Sequence, residues 1–417
     1  MVIKLRAVPG KFAFPLENTI KEKKVKDPVP LLLHKLNLTH FRSYDALRLD
    51  LGDARIVVLT GSNGAGKTNI LEAVSLLVPG KGLRAADLLE MKSRTAEAQD
   101  LWAVAAELET PKEPSVRIGT GLDRDFKRRL IRINGRDAKS QNELAGLISA
   151  VWLTPQMDRL FQEGASGRRK FFDRLAYAFD PEHATRLNRY DKHLRDRLKV
   201  LQGETGADPL WLTNIESQLA ADAVSVAATR KNLLDQLARY TAKLYAGKTL
   251  FPIPDISISG WTENETGKRP ALEIEDELKI RFKDSRRDDM MAGKSREGIH
   301  RSDFVVAHAG RNMPAAQCST GEQKGLLVSI ILAHALMMQG EQGFVPILLL
   351  DEVAAHLDDA RRDELFRYLA SLDGQVFLTG TDPGIFDALR PRALFCSVDR
   401  GHVTIQQKPA PRLEALP

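Results

Sequence analysis

The sequence predicts an α/β fold with a mixed sheet, flanking helices and an antiparallel β subdomain, interrupted by an inserted α-helical lobe. An apolar strand pattern, RIVVLT, runs directly into the glycine-rich stretch GSNGAGKTN at residues 61–69 and then into a helical pattern. A second apolar strand pattern, VPILLL, ends in two acids at residues 351–352. Between them, at about 161–250, apolar residues recur at the three- and four-residue spacing of helices.

Composition limits the class of protein. The chain has 417 residues, of which 43% are hydrophobic and 28% charged, so it can bury a sizeable core and has the length of about two lobes. No stretch approaches the roughly 18 apolar residues of a membrane span, and the N-terminus lacks the apolar core of a signal peptide. Only Cys318 and Cys396 are present, which excludes a disulfide framework. We therefore expect a cytoplasmic protein with no membrane partner.

The positive charge is unevenly distributed. Residues 1–30 carry seven Lys or Arg against three acids, which is +4 of a total of +6, so the remaining residues carry only +2. Overall charge is therefore weak evidence for nucleic-acid binding, and a basic surface has to be argued patch by patch. We interpret residues 1–30 as a basic, flexible N-terminal extension rather than a binding arm.

The first part of the head is predicted at residues 31–160. The stretch LLLHKLNLTHFRSYDALRLDL predicts a strand pair before the glycine-rich stretch, and a helix is expected from about Lys67 to Val78 after it. The strand patterns LWAVAAELE, SVRIGTGL and RRLIRINGRDAK then predict the antiparallel subdomain. Asn134 and Gly135 should supply the positive φ angles of a tight hairpin turn.

The inserted lobe is predicted at residues 161–250, and residues 251–417 complete the head. Two helical runs in the lobe are separated by QGETGADP, which indicates a helical hairpin or small bundle. In the second part of the head, ISISGW predicts a strand. Strand patterns and helical patterns then alternate as an α/β sheet requires, in the order FVVAHAG, a helix, VPILLLDE, another helix and QVFLTGT.

The glycine-rich stretch fits the pattern G-x-x-x-x-G-K-[ST] of a phosphate-binding loop. Its predicted nucleotide-binding residues are Gly61, Ser62, Asn63, Gly64, Ala65, Gly66, Lys67 and Thr68. The glycines let backbone N–H groups point at phosphates, and the following helix adds its N-terminal partial charge. Lys67 is expected to bind the β- and γ-phosphates of ATP, and Thr68 to bind Mg²⁺. A chance glycine turn is disfavoured because a strand precedes the motif and a helix follows it.

The acids after VPILLL supply the second half of a catalytic site. A buried strand carries Asp351 and Glu352 to the carboxyl edge of a sheet, where ligands bind in open α/β folds. Asp351 is expected to hold Mg²⁺ through water, and Glu352 to polarise the attacking water as the general base. An apolar run followed by two acids can also be a plain strand end, but the phosphate loop in the same chain favours the catalytic interpretation.

A third element precedes Asp351 by 32 residues. Ser319, Thr320, Gly321 and Glu322 open a helical pattern, where free N–H groups and a hydroxyl form a second anion site. The same residues also make an ordinary N-cap. In this position, however, they resemble the signature motif of ABC-type ATPases, so that the head looks like an ABC-ATPase head.

The ABC resemblance extends to two further positions. Asp358 lies where that fold keeps the aspartate of its D-loop, and Gln156 lies where it carries a glutamine that senses metal and water, although a surface role for Gln156 is equally compatible with the sequence. The resemblance implies a homodimer in which the signature of one subunit closes on ATP held by the other. The usual switch histidine is missing from FLTGTD at residues 377–382. This departure predicts slow turnover and weighs against a transporter ATPase.

The chain as a whole resembles the RecF family of bacterial DNA recombination and repair ATPases over roughly residues 31–400. The residues that carry this resemblance are HFRSYDALRLDL, GSNGAGKTN, INGRD, LTPQMDRLFQEGASGRRKFFDRL, GIHRSDF, CSTGEQKGLL and ILLLDEVAAHLDDARR. Most specific are RRKFFD after the glutamine and G-x-H-R-x-D before the signature. His300, Arg301 and Asp303 match the latter, and we expect them near the nucleotide or the dimer seam.

The resemblance implies an ATP-dependent DNA-binding protein with weak, DNA-dependent ATPase activity. It implies a preference for gaps and for junctions of single- and double-stranded DNA, cooperation with RecR and RecO in loading RecA, and a role in replication restart and SOS induction. The alternatives are an ABC transporter-type ATPase subunit and a binding scaffold that hydrolysis only resets.

One basic stretch could contact DNA. Residues 164–200 carry ten Lys or Arg against five acids, a net charge of +5. They are Arg168, Arg169, Lys170, Arg174, Arg186, Arg189, Lys192, Arg195, Arg197 and Lys199. A helical face of this kind could neutralise phosphates independently of sequence, although a solvated surface with paired charges is the simpler alternative. No recognition-helix motif or base-stacking platform is apparent, so sequence-specific readout is not expected.

Overall fold

The computed structural model describes residues 30–203, 209–246 and 249–409, so the predicted extension lies outside the described residues except for residue 30. The strands, numbered along the chain, are β1 (Leu32–Phe41), β2 (Tyr44–Asp50), β3 (Ile56–Thr60), β4 (Ala103–Glu109), β5 (Val116–Leu122), β6 (Arg129–Ile133), β7 (Arg136–Asp137), β8 (Ala150–Leu153), β9 (Pro254–Ser259), β10 (Asp303–His308), β11 (Met313–Pro314), β12 (Ile347–Leu350), β13 (Val376–Gly380), β14 (Ala393–Asp399) and β15 (His402–Gln407).

The helices lie on both sides of this strand framework. They are α1 (Lys67–Ser75), α2 (Ala165–Phe179), α3 (Glu182–Leu201), α4 (Pro209–Tyr245), α5 (Trp261–Glu265), α6 (Ala271–Asp284), α7 (Arg286–Ala292), α8 (Thr320–Gln342) and α9 (Asp359–Ser371). Within the described ranges, none of them combines the length and the apolar character needed to cross a membrane.

A central sheet has the order β15-β14-β3-β13-β12-β8 among the described strands. From β14 to β8 the strands are parallel, and β15 is antiparallel to β14, so the predicted mixed sheet is confirmed. Parallel strands end at one edge of a sheet, and β3, β12, β13 and β8 therefore bring their carboxyl ends together. The register pairs Leu350 with Leu378, and Thr379 with Leu59.

The predicted antiparallel subdomain is also confirmed, with the strand order β2-β1-β4-β5-β6-β7. Asn134 and Gly135 adopt φ angles of 50° and 82° in its last hairpin, as predicted. Helix α1 packs between this sheet and the central sheet, but it ends at Ser75 rather than at Val78. The Ser75 hydroxyl donates to the backbone oxygen of Glu72, within the same last turn.

The second face of the central sheet is covered by α8, α9, α2 and the C-terminal half of α4. Helix α8 is apolar around its whole circumference and is buried over most of its length, as the continuous apolar pattern of its sequence requires. The sheet is thereby closed on both faces, which leaves its edges for function.

The helical lobe has an apolar cluster of its own, formed by α3, the N-terminal half of α4, and α6. Ile274, Leu278 and Phe282 recur every four residues and place one face of α6 in this cluster. Helix α6 lies beyond residue 250, so the cluster extends past the predicted end of the lobe. Conversely, α2 packs mainly in the head cluster.

A buried arginine ties the lobe together. The guanidinium of Arg197 donates to Glu216 Oε1 at 3.0 Å, to Asp289 Oδ2 at 2.6 Å and to the backbone oxygen of Phe282 at 2.6 Å. The side chain of Arg197 is only 1% exposed. Removing one member of such a cluster leaves buried charges without partners, which is much more costly than losing a surface ion pair.

We therefore predict that Arg197→Ala lowers the free energy of unfolding by about 3–5 kcal/mol, measured by urea denaturation. Arg195→Ala is the matched control, because Arg195 lies on the same helix and is exposed. The control should change stability by less than about 0.5 kcal/mol. Equal effects of the two substitutions would contradict the role given to the buried cluster.

Candidate nucleotide site

The phosphate loop, residues 61–68, connects the end of β3 to the start of α1. Gly66 has a φ of 119°, and a Cβ there would lie 2.7 Å from Tyr44 Oη and 2.8 Å from Ser43 Oγ. The Tyr44 hydroxyl donates to the backbone oxygen of Gly66 at 3.1 Å, and burial raises the pKa of Tyr44. The backbone N–H of Gly401 donates to Ala65 from the β14–β15 hairpin. The loop therefore has a shape that only glycine at 66 allows.

The helix after the loop is held by arginines. Arg42, in the FRSY segment between β1 and β2, donates two parallel hydrogen bonds to the buried Glu72 of α1, at 2.8 Å and 2.6 Å. Arg84 donates to the same carboxylate at 2.7 Å. Paired bonds of this geometry are among the stronger interactions of side chains, so the orientation of α1 is firmly set.

Lys67 lies inside the loop. Its Nζ donates to the backbone oxygens of Gly61 at 2.6 Å and Ser62 at 2.9 Å, and lies 4.0 Å from Glu352 Oε1. Burial lowers the pKa of Lys67, while the charges of Glu352 and Asp351 oppose this shift. An ammonium group surrounded by loop carbonyls and facing a carboxylate is a cation ready to exchange these partners for phosphate oxygens.

Asp351 is the centre of the site. Both of its carboxylate oxygens lie 3.0 Å from the hydroxyl of Thr68, and Oδ1 also accepts from the hydroxyl of Thr379 at 2.7 Å. Carboxylate and hydroxyl oxygens are the hard ligands that Mg²⁺ prefers, so the donor set fits the predicted metal. Thr379 is not among the site residues expected from the sequence, where it marks only the absence of the switch histidine. Its position at the carboxyl end of an apolar strand is the sequence signal that could have identified it as a site residue.

Glu352 has an unusual backbone. Its φ is 52°, in the left-handed region, and its N–H donates to Thr379 Oγ1 at 2.9 Å. For a residue with a Cβ this conformation costs about 1–2 kcal/mol, and such strain is typical of active sites. The side chain is 30% exposed and lies close to Lys67. A partly exposed carboxylate beside a phosphate-binding lysine has the position that a general base for an attacking water requires.

Gln156 reaches the same edge from β8, which is paired with β12. It lies on the exposed side of a short 3₁₀ helix, Pro155–Arg159. Beneath it, the guanidinium of Arg174 stacks 4.2 Å from the ring centroid of Trp152, and burial lowers the pKa of Arg174 to about 9. The structure thus brings four predicted elements to one edge: the phosphate loop, Asp351, Glu352 and the glutamine loop.

The signature residues do not join this edge within one chain. No hydrogen bond or ion pair in the described part of the chain connects residues 319–322 to residues 61–68. The Ser319 hydroxyl instead accepts from the N–H of Glu322 at 3.3 Å, and the backbone N–H of Ser319 donates to the Glu322 carboxylate at 3.0 Å, which together form a capping box at the start of α8. The hydroxyl also donates to this carboxylate at 2.9 Å. Gly321 has open space around it, and Asp358 caps α9 while 59% exposed.

The H-R-x-D segment lies at the joint between head and lobe. His300 Nδ1 is 2.7 Å from the hydroxyl of Tyr190 on α3, and Asp303 accepts two hydrogen bonds of 2.8 Å from Arg168 on α2. Arg301 between them is exposed. None of these contacts is with the phosphate loop or Asp351 of the same chain, and the expected position of the segment near the nucleotide or the dimer seam stays a prediction.

The predicted basic face of residues 164–200 is also only partly correct. Arg197 is buried in the lobe, Arg174 lies under the glutamine loop, and Arg168 is paired with Asp303. The net charge of a stretch of sequence does not show which of its side chains face acids from other elements. The members that are exposed are Lys170, Arg189, Lys192, Arg195 and Lys199.

Comparison with known proteins adds independent information. Residues 32–397 match the RecF/RecN/SMC N terminal domain family. The chain is 44% identical over 374 residues to the DNA replication and repair protein RecF of Agrobacterium fabrum, covering 89% of this chain and 98% of the relative. The RecF of Rhizobium rhizogenes is 44% identical over 379 residues, covering 90% and 99%.

Solved structures show the same fold. A structure of the recombination mediator protein RecF-ATPrS in the RecFOR pathway superposes with a TM-score of 0.79 at 24% identity, covering 91% of this chain and 99% of the other. An Smc head domain from Pyrococcus furiosus superposes with a TM-score of 0.51 at 17% identity, covering 90% and 96%. The expected ABC-ATPase-like head is therefore confirmed, and its fold is similar to that of an Smc head domain.

Gly66→Ala tests the shape of the loop. The substitution should lower the free energy of unfolding by about 1–3 kcal/mol through left-handed strain and the clash with Tyr44, and should abolish binding of a fluorescent ATP analogue. Gly80→Ala is the control, because Gly80 has a similar φ of 109° but open space around a Cβ. It should show the strain alone and retain binding. Normal nucleotide affinity of Gly66→Ala would contradict the cradle.

Proposed function

This chain belongs to the RecF family of DNA replication and repair proteins, and from the geometry of its site we propose that it is an ATP-dependent DNA-binding protein of recombinational repair. The observation that carries the proposal is the junction of Thr68, Asp351, Thr379 and Glu352 at one sheet edge, directly beside Lys67. These residue types, in this arrangement, suit phosphoryl transfer to water.

Each site residue has a separate role in the proposal. Residues 61–66 surround the phosphates with backbone N–H groups, and Lys67 binds the β- and γ-phosphates. Thr68 and Asp351 would hold Mg²⁺, which neutralises charge on the phosphate oxygens when bound. Glu352 accepts a proton from the attacking water, and Gln156 helps to place that water.

The signature motif and Asp358 complete the site from a second copy of the chain. In one chain Ser319 and Asp358 are exposed, Gly321 and Glu322 are half-buried, and none of them contacts the phosphate loop among the described residues, so this surface can face another subunit. The Ser319 hydroxyl and the backbone N–H groups of Gly321 and Glu322 at the start of α8 would then meet the γ-phosphate that the partner subunit holds. We propose that ATP closes this homodimer and that hydrolysis opens it.

DNA binding would use the exposed basic residues of the lobe. Lys192, Arg195 and Lys199 have the spacing i, i+3, i+7 and therefore share one face of α3. Contacts of this kind neutralise backbone phosphates and read no sequence. The proposal includes a preference for gaps or single-strand/double-strand junctions, with RecR- and RecO-like partners that assist the loading of RecA.

Weak, DNA-dependent hydrolysis is the expected use of ATP. The strand end that usually carries a switch histidine ends here in Thr379 and Gly380, and the Thr379 hydroxyl is already bound to Asp351 and Glu352. A threonine cannot exchange a proton near neutral pH as histidine can. We therefore propose that hydrolysis acts as a slow switch in a cytoplasmic protein that supports replication restart and SOS induction.

Glu352→Gln tests the switch. The amide retains the shape of the side chain but cannot accept a proton, so hydrolysis should fall by roughly 10²- to 10⁴-fold. ATP should then trap a dimer that still holds gapped DNA, as measured by sedimentation and by fluorescence anisotropy of labelled DNA. Asp359→Asn, at an acid that is 90% exposed, is the control and should hydrolyse normally. Loss of DNA binding by a folded, ATP-binding Glu352→Gln protein would contradict the proposal.

A triple substitution of Lys192, Arg195 and Lys199 by Gln tests the DNA surface. DNA affinity should fall, and the slope of log affinity against log salt should decrease by about 2–3 because up to three phosphate contacts are lost. The control replaces Lys139, Lys268 and Lys283 by Gln. These three lysines are exposed, so the control removes the same charge from other parts of the surface. If the two triple variants weaken binding equally, only net charge matters and the assigned face is wrong.

A further inference from the structure

Lys324 lies on α8, five residues after Ser319, and its side chain is only 4% exposed. A buried ammonium group is unfavourable unless nearby groups compensate its charge, so its neighbours indicate its role. Its Nζ lies 3.4 Å from the backbone oxygen of Glu352 and 3.8 Å from Asp158 Oδ2. Lys324 therefore lies behind the proposed nucleotide site, on the protein side of the general base.

The contact with Glu352 falls on the strained residue of the site. The N–H of Glu352 is held by Thr379, and its carbonyl oxygen faces Lys324, so both polar backbone groups have a partner. A left-handed conformation persists only where its surroundings determine it from several sides. Because the direction of a side chain follows from the backbone that carries it, these two contacts fix where the Glu352 carboxylate points.

The contact with Asp158 reaches the glutamine loop. Asp158 lies two residues after Gln156 in the same 3₁₀ helix. Its Oδ1 atom is buried without a hydrogen-bond partner among the described residues. The ammonium group of Lys324, next to Oδ2, therefore offsets part of the cost of burying this oxygen. One lysine thus contacts a residue of the glutamine loop and the general base, and is itself part of the signature helix.

We propose that Lys324 is a positioning residue, which holds Glu352 and the glutamine loop in register with the signature helix and so sets the rate of hydrolysis without touching the nucleotide. This inference rests on the proposed ATPase function. Burial lowers the pKa of Lys324, while Asp158, Glu352 and Asp351 oppose the shift, as expected of a cation kept charged by its neighbours.

Lys324→Met tests the proposal, since methionine fills much of the space of lysine and removes the charge. The kcat for ATP hydrolysis should fall roughly 10- to 100-fold through misplacement of the base, while KM and ATP-dependent dimerisation stay within about threefold. Lys324→Arg, which retains the charge, should recover most of the rate. Lys283→Met, at an exposed lysine of α6, is the control and should leave kcat unchanged.

A second readout needs no nucleotide. Amide hydrogen exchange of a peptide that contains Glu352 should be faster in Lys324→Met than in the wild type and in the control. Unchanged kcat with unchanged exchange would overturn the proposal, and so would a rise in KM alone. If the wild type fails to hydrolyse ATP, the proposed function is wrong, but the exchange measurement still decides whether Lys324 holds the Glu352 backbone.

Loss of stability is separated from loss of positioning by a double variant. Lys324→Met leaves the half-buried Asp158 carboxylate without its cation, so the variant is compared with Lys324→Met combined with Asp158→Asn, which removes both charges. If the double variant recovers both the melting temperature and kcat, Lys324 is merely structural and the inference is wrong. If it recovers the melting temperature while kcat stays low, the positioning role is supported.

Discussion

The carboxylate of Asp351 is the constraint on which the nucleotide site depends. It accepts from Thr68 at the start of α1 and from Thr379 at the end of β13, so it joins the ends of three adjacent parallel strands. The register of a parallel sheet places these residues at one level. A slip of β12 by one residue would move the carboxylate to the other face of the sheet, where neither hydroxyl could reach it.

The relation between head and lobe depends on a second set of buried charges. Arg230 of α4 donates two bonds of 2.8 Å to Asp173 of α2, and a third bond of 2.7 Å to Glu263. Burial alone would raise the pKa of Asp173, but Arg230 and His183 offset this, and the pKa falls to about 2. Helix α4 runs unbroken for 37 residues, from the lobe cluster into the head cluster, so a single helix connects the two hydrophobic cores.

The sequence was sufficient for features that depend on neighbours along the chain. The phosphate loop needs only a strand, glycines and a helix in succession, and the hairpin turn needs only Asn134 and Gly135. The sequence was insufficient where the interaction partner of a residue is remote along the chain. The sequence places Arg197 in a basic helical stretch because its partner Asp289 lies 92 residues further along. The neighbours of Lys324, Asp158 and Glu352, likewise come from other elements, so no local pattern identifies their contacts with it. Periodicity shows that a residue is on a helix, but long-range packing decides which residues face it.

The capping box of the signature motif would oppose closure of the proposed dimer. Hydrogen bonds from Ser319 lower the pKa of Glu322, so a charged carboxylate lies against the hydroxyl and the N–H that a phosphate would need. An incoming phosphate must displace this carboxylate, and the lost capping box costs about 1 kcal/mol. Arg311 lies 2.6 Å from the other oxygen of Glu322 and can hold the carboxylate after it leaves Ser319. In the proposed dimer, the exchange of Glu322 from Ser319 to Arg311 would therefore accompany closure on ATP. A chain without nucleotide in its partner would retain the capping box and stay open.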